Sequence, residues 1–421
     1  MDDFTFLHAA DLHLDTPFEG MGALRPAIAA ALRDASLAAW DRLVETALAR
    51  EVAFVLLAGD LYDGPERGIR AQLRFRRGLE RLTAAGIGVF VVHGNHDPVE
   101  EGWSALRDFP PGVHVFAPGT PAAVPVERSG RLLAVVHGVS FATRAERENL
   151  AARFRRTADP VPQIGLLHCN VEGQAGHDPY APCTLVDLRA AGMDYWALGH
   201  VHQRQTLARE QGWVVYPGNL HRRSHKASEC GEKGAVVGHV RGGAVREVEF
   251  VPLAPIRFEL LRVDIEGLGD LAALEQALLE AVRPQLDSPG LEGLVVRVEL
   301  VGRGPVHRDL AAGTEGLLEA LHDATAGSQP WVCWERVTGR TGPPIDRAAL
   351  LARDDFAGEL LRRLDQLRAD EAALAALLAE VDEGLSRGEI GRVVAPASAE
   401  EASALLATAE TLAIDRFGGA S

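Results

Sequence analysis

Cysteine is scarce in this sequence and follows no metal-binding or disulfide pattern. The four cysteines are scattered and form no CxxC pair: Cys169, Cys183, Cys230 and Cys333. A zinc finger needs closely spaced thiolates, and a disulfide framework needs many cysteines in a short chain. The sequence therefore argues against both classes of protein, and we expect free thiols.

Long apolar runs are also missing. Nowhere do 18 uncharged apolar residues follow one another, which argues against a transmembrane helix. The N-terminal residues lack the basic and apolar segments of a secretory signal. We therefore expect a cytoplasmic protein without a membrane partner. With 47% hydrophobic and 24% charged residues, the composition is that of a globular protein rather than a disordered chain.

Positive charge is in short supply. The chain has 43 Lys and Arg against 59 Asp and Glu, and its formal net charge is -16. Residues 342–421 carry 8 arginines and no lysine against 15 acidic residues. Affinity for a nucleic-acid backbone comes largely from basic side chains. A nucleic-acid enzyme with this net charge needs a local cluster of basic residues, or a partner protein that binds the nucleic acid.

Three regions differ in their hydrophobic pattern. Residues 1–255 alternate short apolar runs with helical segments, which predicts an α/β domain. Residues 256–341 predict a second, smaller α/β domain, and residues 342–421 predict a helical C-terminal region rich in Leu and Ala. The strands predicted in the first domain are Phe4–Ala9, Phe54–Ala58, Val89–His93, Leu132–His137, Ile164–His168, Tyr195–Leu198 and Val214–Tyr216, followed by a hairpin at Val236–Val240 and Val245–Val251.

Histidine is concentrated in the first domain, often beside Asp or Asn. Thirteen of the 15 histidines lie before residue 240. Five segments lie at or directly after the ends of predicted strands: Asp11-Leu12-His13, Gly59-Asp60-Leu61-Tyr62-Asp63, Gly94-Asn95-His96-Asp97, Leu167-His168 and Gly199-His200-Val201-His202. One such segment occurs by chance in most chains, but five in order do not. In α/β folds, ligands collect at the carboxyl ends of strands, so these segments predict one site.

The residue types indicate a metal centre. Carboxylate, amide and imidazole ligands together suit Mn, Fe or Zn better than Mg or Ca, and we favour Mn²⁺. In an extended D-x-H or H-x-H segment both side chains point the same way and can reach one ion. Two such ions could polarise a phosphate and lower the pKa of a bridging water. The predicted cofactor is therefore a pair of divalent ions.

These segments resemble the calcineurin-like metallophosphoesterase superfamily, in particular its SbcD-type DNA repair exonucleases, among which the YhaO-like members are the most similar. The resemblance covers about residues 4–255. It includes HAADLHLDTPF (8–18), GDLYD (59–63), GNHD (94–97), HDPYAPC (177–183), DYWALGHVHQR (194–204) and YPGN (216–219). It implies a four-layer αββα sandwich, followed by a small α/β capping domain and the helical region.

The resemblance also implies the roles of the site residues. It assigns Asp11, His13 and His202 to one metal, Asn95, His168 and His200 to the other, and the bridging carboxylate to Asp60. It implies that His96 lies near the scissile phosphate and stabilises the transition state or protonates the leaving oxygen. Asp97 is predicted to orient His96, and Asp63 to support the site without being a ligand.

Substrate and partner predictions rest on the loop after YPGN and on the C-terminal region. Arg222, Arg223 and Lys226 could follow a phosphate backbone without reading bases. The resemblance implies DNA as substrate, homodimer formation and an SMC-type coiled-coil ATPase partner, SbcC-like or YhaN-like. The leucine-rich segment 346–387 could dock that ATPase, or it could be a helical hairpin that closes its own core.

The predicted function is a metal-dependent DNA exonuclease or endonuclease in DNA repair or end processing. One alternative is a phosphoesterase for a nucleotide, a cyclic nucleotide or a phosphoprotein, because the metal motifs are shared across the superfamily. The C-terminal regions and the motifs at 177–183 and 216–219 favour the nuclease. Another alternative is a non-catalytic subunit that tethers DNA or scaffolds an ATPase. The sequence has a suitable residue at every metal-ligand position of the motifs, which argues against this alternative.

Overall fold

The computed structural model describes residues 2–16, 26–63, 68–100, 108–173, 178–222, 229–386 and 399–417. These residues belong to two compact units. The first unit comprises residues 1–261, 278–298 and 316–338, and the second comprises 262–277, 299–315 and 339–421. The predicted domain boundaries at 255 and 341 stay predictions.

The first sheet carries three of the site segments. Its strands are β1 (Phe4–Ala9), β2 (Phe54–Ala58), β3 (Gly88–Val92), β4 (Val113–Val115), β11 (Gly234–Arg241) and β12 (Ala244–Pro252). Their order is β12-β11-β1-β2-β3-β4. Parallel pairing from β1 to β4 places the carboxyl ends of β1, β2 and β3 at the same edge of the sheet.

The second sheet carries the remaining site segments. Its strands are β5 (Ala122–Arg128), β6 (Arg131–Gly138), β7 (Gln163–His168), β8 (Tyr195–Gly199), β9 (Gln205–Ala208) and β10 (Trp213–Tyr216). Their order is β5-β6-β7-β8-β10-β9. Strands β6, β7, β8 and β10 are parallel, whereas β5 and β9 are antiparallel edge strands. The carboxyl ends of β7 and β8 therefore also share one edge.

Strand alternation explains how the first sheet is buried on both faces. Phe6 and Leu7 are consecutive in β1 and point to opposite sides. Phe6 stacks on Phe54 and belongs to a core shared with Tyr195 of the second sheet. Leu7 belongs to a core shared with the helices α1 (Pro26–Ala49) and α2 (Ile69–Ala84), which contribute Trp40 and Phe75 among others. A third core covers the second sheet and includes Leu188 of α3 (Leu185–Ala190) and Trp196.

The remaining elements follow residue 255. A third sheet has the order β13-β14-β15, with β13 at Ile256–Asp264, β14 at Gly293–Arg303 and β15 at Trp331–Gly342. The helices are α4 (Leu271–Val282), α5 (His307–Leu310), α6 (Glu315–Ala324), α7 (Arg347–Leu351), α8 (Phe356–Ala369), α9 (Glu371–Ser386) and α10 (Ala399–Phe417). Leu350, Leu361, Leu364 and Leu406 form a core within the second unit. In the described part of the chain, every helix is too short or too polar to cross a membrane.

The predicted α/β fold class is confirmed by the two six-stranded sheets and their helices. The four-layer arrangement stays a prediction. Strands β1 and β2 have the bounds predicted for them, because their buried apolar runs are sharply bounded. The sequence did not indicate β4, β5 and β9, which are edge strands with little fully buried surface.

Candidate metal centre

The loops that leave five parallel strands bring the predicted ligands together. Asp11 and His13 follow β1, and Asp60 follows β2. The two loops remain paired beyond the strands, because Asp11 N donates to Gly59 O at 3.1 Å and His13 N donates to Asp60 O at 3.0 Å. Asn95 follows β3, while His168 ends β7 and His200 follows β8. All of these residues are buried.

Several ligand candidates have a left-handed backbone. The φ angle is 50° at Asp11, 41° at His13, 51° at Asp60 and 100° at His200. Residues other than glycine rarely adopt this region of φ, because it strains the backbone. Such strain persists only where surrounding contacts hold the conformation. Its concentration at four candidate ligands supports a functional site.

His168 tests whether a cation fits this site. Its Nδ1 donates to the carbonyl oxygen of Ala58 at 2.9 Å, so in the neutral ring Nε2 carries the lone pair. Nε2 lies 3.0 Å from Asn95 Oδ1 and 3.5 Å from Asp60 Oδ2. Three electron-pair donors that face one another repel unless a cation lies among them. The donor set therefore fits a divalent metal.

His200 and His202 are oriented in the same way. His200 Nε2 donates to the carbonyl oxygen of Asp178 at 2.8 Å, which leaves Nδ1 facing Asn95 Oδ1 at 3.2 Å. His202 Nδ1 donates to Glu229 Oε1 at 3.0 Å, which leaves Nε2 facing His13 Nε2 at 3.3 Å. Histidines that bind metals characteristically donate their other ring N–H to a carbonyl or carboxylate.

Asp60 lies between the two predicted ligand sets. Its Oδ1 accepts from His96 N at 2.9 Å. Its Oδ2 lies 3.8 Å from His13 Nε2 and 3.5 Å from His168 Nε2. Among the described residues, three groups have donor atoms within 4.8 Å of one another: Asp11, His13 and His202; Asp11, Asp60 and His168; and His13, Asp63 and His96. One carboxylate with access to both sets is the arrangement that two neighbouring ions require.

The carboxylate of Asp63 faces the imidazole of His96. His96 Nδ1 lies 2.6 Å from Asp63 Oδ1, and both side chains are about a quarter exposed, at 25% and 23%. Asp97 instead accepts from the backbone of Leu61 and Gly94, both at 2.9 Å. The sequence predicted that Asp97 orients His96. In the structure Asp97 holds the backbone beside the candidate ligands, its Oδ2 also lies 3.2 Å from His93 Nδ1, and Asp63 faces the His96 ring. The role of Asp97 toward His96 stays a prediction.

Arg222 differs from its predicted role in substrate binding. It is only 4% exposed, and its Nη1 donates to Cys230 Sγ at 3.0 Å. Its guanidinium lies 4.6 Å from the ring centre of Phe258. These contacts bury the cation against β13 instead of presenting it to a phosphate backbone. Arg223 and Lys226 lie outside the described residues.

Three residues near the site were not predicted. Glu229 accepts from His202, as described above. The Lys233 ammonium donates to His202 O at 2.8 Å, and burial lowers the pKa of Lys233 to about 8. Arg144 Nε donates to Asn95 O at 3.3 Å. None of the three belongs to the five segments, and the sequence gives no local signal for them.

Known proteins match both the first domain and the region that follows it. Residues 4–204 match the calcineurin-like phosphoesterase family, and residues 258–342 match the middle domain of metallophosphoesterase YhaO. The chain is 38% identical over 394 residues to metallophosphoesterase YhaO of Bacillus subtilis, which covers 93% of this chain and 92% of the relative.

Two further relatives are nuclease and repair proteins. The chain is 27% identical over 372 residues to the SbcD subunit of the SbcCD nuclease of Rhodobacter capsulatus, covering 76% of this chain and 86% of that protein. It is 31% identical over 227 residues to the DNA double-strand break repair protein Mre11 of Aeropyrum pernix, covering 51% and 53%. These matches confirm the predicted enzyme class, a metal-dependent phosphodiesterase. The chain belongs to the calcineurin-like metallophosphoesterases, and within them to the YhaO-like proteins.

Proposed function

We propose that this chain is a metal-dependent DNA exonuclease or endonuclease that hydrolyses phosphodiester bonds with two divalent ions, Mn²⁺ in our proposal, during DNA repair or end processing. The observation that carries the proposal is the position of Asp60 between His13 and His168, with the His96–Asp63 pair beside it. Similarity to the SbcD subunit of the SbcCD nuclease and to Mre11 supports DNA as the substrate.

The ligand roles follow from the donor atoms. In this proposal Asp11, His13 and His202 would hold one ion, Asn95, His168 and His200 would hold the other, and Asp60 would offer its carboxylate to both. When bound, two such ions polarise the phosphate and lower the pKa of a bound water. The protein's part is to fix the ligand rings, which the outward hydrogen bonds to Ala58 O and Asp178 O support.

His96 is proposed to act on the leaving oxygen. Because Nδ1 faces the Asp63 carboxylate, the Nε2–H of the protonated ring is available to donate to that oxygen as a general acid. The backbone N of His96 also binds Asp60 Oδ1, which ties the position of the ring to the bridging carboxylate. Asp97 keeps this loop in place through Leu61 N and Gly94 N.

An SMC-type coiled-coil ATPase is the proposed partner, docked at residues 346–387. Within this region, residues 346–386 contain α7, α8 and α9 and expose Phe356 (62%) and Leu377 (37%). A partner that binds DNA would also compensate for the net charge of -16. Arg223 and Lys226 remain proposed phosphate contacts of this chain.

A smaller phosphoester is the second candidate substrate. Arg222 is only 4% exposed, so the proposed DNA contact has one cation fewer. This favours the smaller substrate. A nucleotide or a small diester needs only the metal centre and His96, and not an extended basic surface.

The test is digestion of end-labelled single- and double-stranded DNA by the full-length protein with Mn²⁺, beside a chromogenic phosphodiester and a phosphomonoester. His96→Ala is the catalytic variant. His239→Ala is its matched control, because His239 Nε2 lies 3.1 Å from Glu249 Oε2 and is likewise a partly exposed histidine paired with a carboxylate.

We expect the wild type and His239→Ala to degrade DNA only with metal, and His96→Ala to lose most of this activity. Cleavage of the small diester without cleavage of DNA, even after addition of the ATPase, would support the second candidate. No metal-dependent activity on any substrate would overturn both.

A further inference from the structure

We infer that Glu229 is a positioning residue for the metal ligand His202, and that it strengthens the binding of one of the two ions. The inference rests on the proposed ligand roles. Glu229 follows the predicted substrate loop and lies outside every motif that indicated the site.

The contact between Glu229 and His202 is buried. Glu229 is 5% exposed, and its Oε1 accepts from His202 Nδ1 at 3.0 Å. An imidazole that donates from Nδ1 carries its lone pair on Nε2, which here lies 3.3 Å from His13 Nε2. The carboxylate thus selects the tautomer and the ring orientation that a metal ligand needs.

The backbone of His202 is held from the same segment. Lys233 Nζ donates to His202 O at 2.8 Å, and Asn219 N donates to it at 3.2 Å. Lys233 is 6% exposed and also interacts electrostatically with Glu229. His202 is therefore fixed at its ring and at its carbonyl by residues 229–233 and by the loop after β10.

This supporting segment is itself anchored on two sides. Gly231 N donates to Phe258 O of β13 at 3.0 Å. Lys233 O accepts from Leu253 N at 2.9 Å and from Ala254 N at 3.1 Å. An acceptor on an anchored segment is preorganised, so little conformational entropy is lost when the ligand ring is held in place.

The three oriented histidines differ in the charge of their acceptors. His168 and His200 donate to the neutral carbonyl oxygens of Ala58 and Asp178, whereas His202 donates to a carboxylate. A carboxylate acceptor raises the basicity of the ligating nitrogen more than a carbonyl does. The set of Asp11, His13 and His202 is therefore expected to bind its ion more tightly than it would without Glu229.

The experiment measures Mn²⁺ binding to the metal-free, full-length protein by titration calorimetry. The variants are Glu229→Ala, which removes the acceptor, and Glu229→Gln, which keeps an acceptor oxygen without the charge. Glu249→Ala is the matched control, because Glu249 also faces a histidine, His239, at 3.1 Å. Thermal unfolding of each metal-free variant checks that it is folded.

We expect two Mn²⁺ equivalents in the wild type, a loss of about 10- to 100-fold in the affinity of one equivalent in Glu229→Ala, and a smaller loss in Glu229→Gln. The Glu249→Ala isotherm should match the wild type. In a His202→Ala background, Glu229→Ala should cause no further loss, because it acts through that ring.

Two results would count against this inference, and a third would count against the proposed function. If Glu229→Ala is folded and binds both ions as the wild type does, Glu229 is not a positioning residue. If Glu229→Ala is misfolded, the folded Glu229→Gln variant decides: an isotherm equal to that of the wild type, or a loss of affinity that is just as large in the His202→Ala background, would overturn the inference. If the wild type itself binds no Mn²⁺, the proposed metal function fails, which is a separate outcome.

Discussion

His96 Nδ1 lies 2.6 Å from Asp63 Oδ1, while the backbone N of His96 binds Asp60 Oδ1 at 2.9 Å. One residue therefore connects a partly exposed aspartate with the proposed bridging carboxylate. A general acid needs a fixed ring, and Asp63 fixes it from the side away from the phosphate in our proposal.

Substitution of Asp63 should impair catalysis without removing metal. Asp63→Asn keeps the size of the side chain and removes its charge. We expect kcat to fall about 10-fold or more, and the fall in His96→Ala to reach about 10²–10⁴-fold. Steady-state rates on a chromogenic diester measure both, and calorimetry should give wild-type Mn²⁺ affinity for Asp63→Asn.

The combined variant shows whether the two residues act together. Asp63→Asn with His96→Ala should be no slower than His96→Ala alone, because Asp63 acts through the ring. A double variant whose loss of kcat equals the product of the two single losses would contradict this interpretation. Glu249→Gln, which changes the other histidine-carboxylate pair, should leave kcat unchanged.

The sequence was sufficient to group the candidate ligands, because each one follows a buried strand and parallel strands end at one edge. Asp11 and Asp60 illustrate this, since the pairing of β1 and β2 continues through their loops. The choice between Asp63 and Asp97 as the partner of His96 could not be predicted. Both aspartates adjoin a motif, and only the loop conformation determines which carboxylate meets the ring and which meets backbone N–H groups.

Long-range contacts explain the other differences from the predictions. Arg222 was predicted to follow a phosphate backbone because its loop lies shortly after a predicted strand of the site, but Phe258 of β13 lies against its guanidinium. Glu229 meets His202 from 27 positions away along the chain. No local pattern of residues encodes such a meeting, because it depends on the strand order of the sheets.

Gly199 should tolerate no side chain. A Cβ at this position would overlap the carbonyl oxygen of Ala58 and lie 2.8 Å from His168 Nδ1, the two groups whose hydrogen bond orients that proposed ligand. We expect Gly199→Ala to lower the free energy of unfolding by about 1–3 kcal/mol and to weaken Mn²⁺ binding. Urea unfolding with a chelator present separates the two effects.

Gly316 is the control glycine. It lies in α6, and a Cβ there meets no atom within 4 Å. Gly316→Ala should leave metal binding unchanged and should keep or raise the free energy of unfolding by up to about 1 kcal/mol. Equal destabilisation by both substitutions would contradict the role assigned to the space beside His168.

Arg144 should contribute to substrate binding rather than to metal binding. Its Nε donates to Asn95 O at 3.3 Å, and its segment is attached to the ligand loop through Val99 N, which donates to Phe141 O at 3.1 Å. Its cation is therefore held beside the proposed phosphate site. Arg144→Gln should lower kcat/KM for DNA about 10-fold and reduce the salt slope of kcat/KM by about 1.

The control for Arg144 is Arg76, an exposed arginine of α2 that pairs with Glu80 four residues later. Arg76→Gln should change neither kcat/KM nor its salt dependence. A reduced Mn²⁺ affinity in Arg144→Gln would contradict a role limited to substrate, because the ligand loop itself would then have moved.

Acid should destabilise the protein through two buried histidines. Burial lowers the pKa of His8 from 6.5 to about 3 and that of His221 from 6.5 to about 4. Below pH 6.5 the unfolded chain binds protons that the folded chain does not, so the free energy of unfolding falls as the pH falls. Each histidine should lower the free energy of unfolding by about 1.4 kcal/mol for every unit by which the pH falls from 6.5 to its folded pKa. Above pH 6.5 it should have no such effect.

His8→Asn isolates one of these contributions. Asparagine is neutral at every pH and can still bond the Tyr195 hydroxyl, which lies 3.0 Å from His8 Nδ1. Urea unfolding of the metal-free protein from pH 8 to pH 5 should give a constant difference between variant and wild type above pH 6.5. Below pH 6.5 the wild type should lose stability faster, by about 1.4 kcal/mol per unit. Parallel curves over the whole range would mean that His8 binds its proton equally well in the folded and in the unfolded protein.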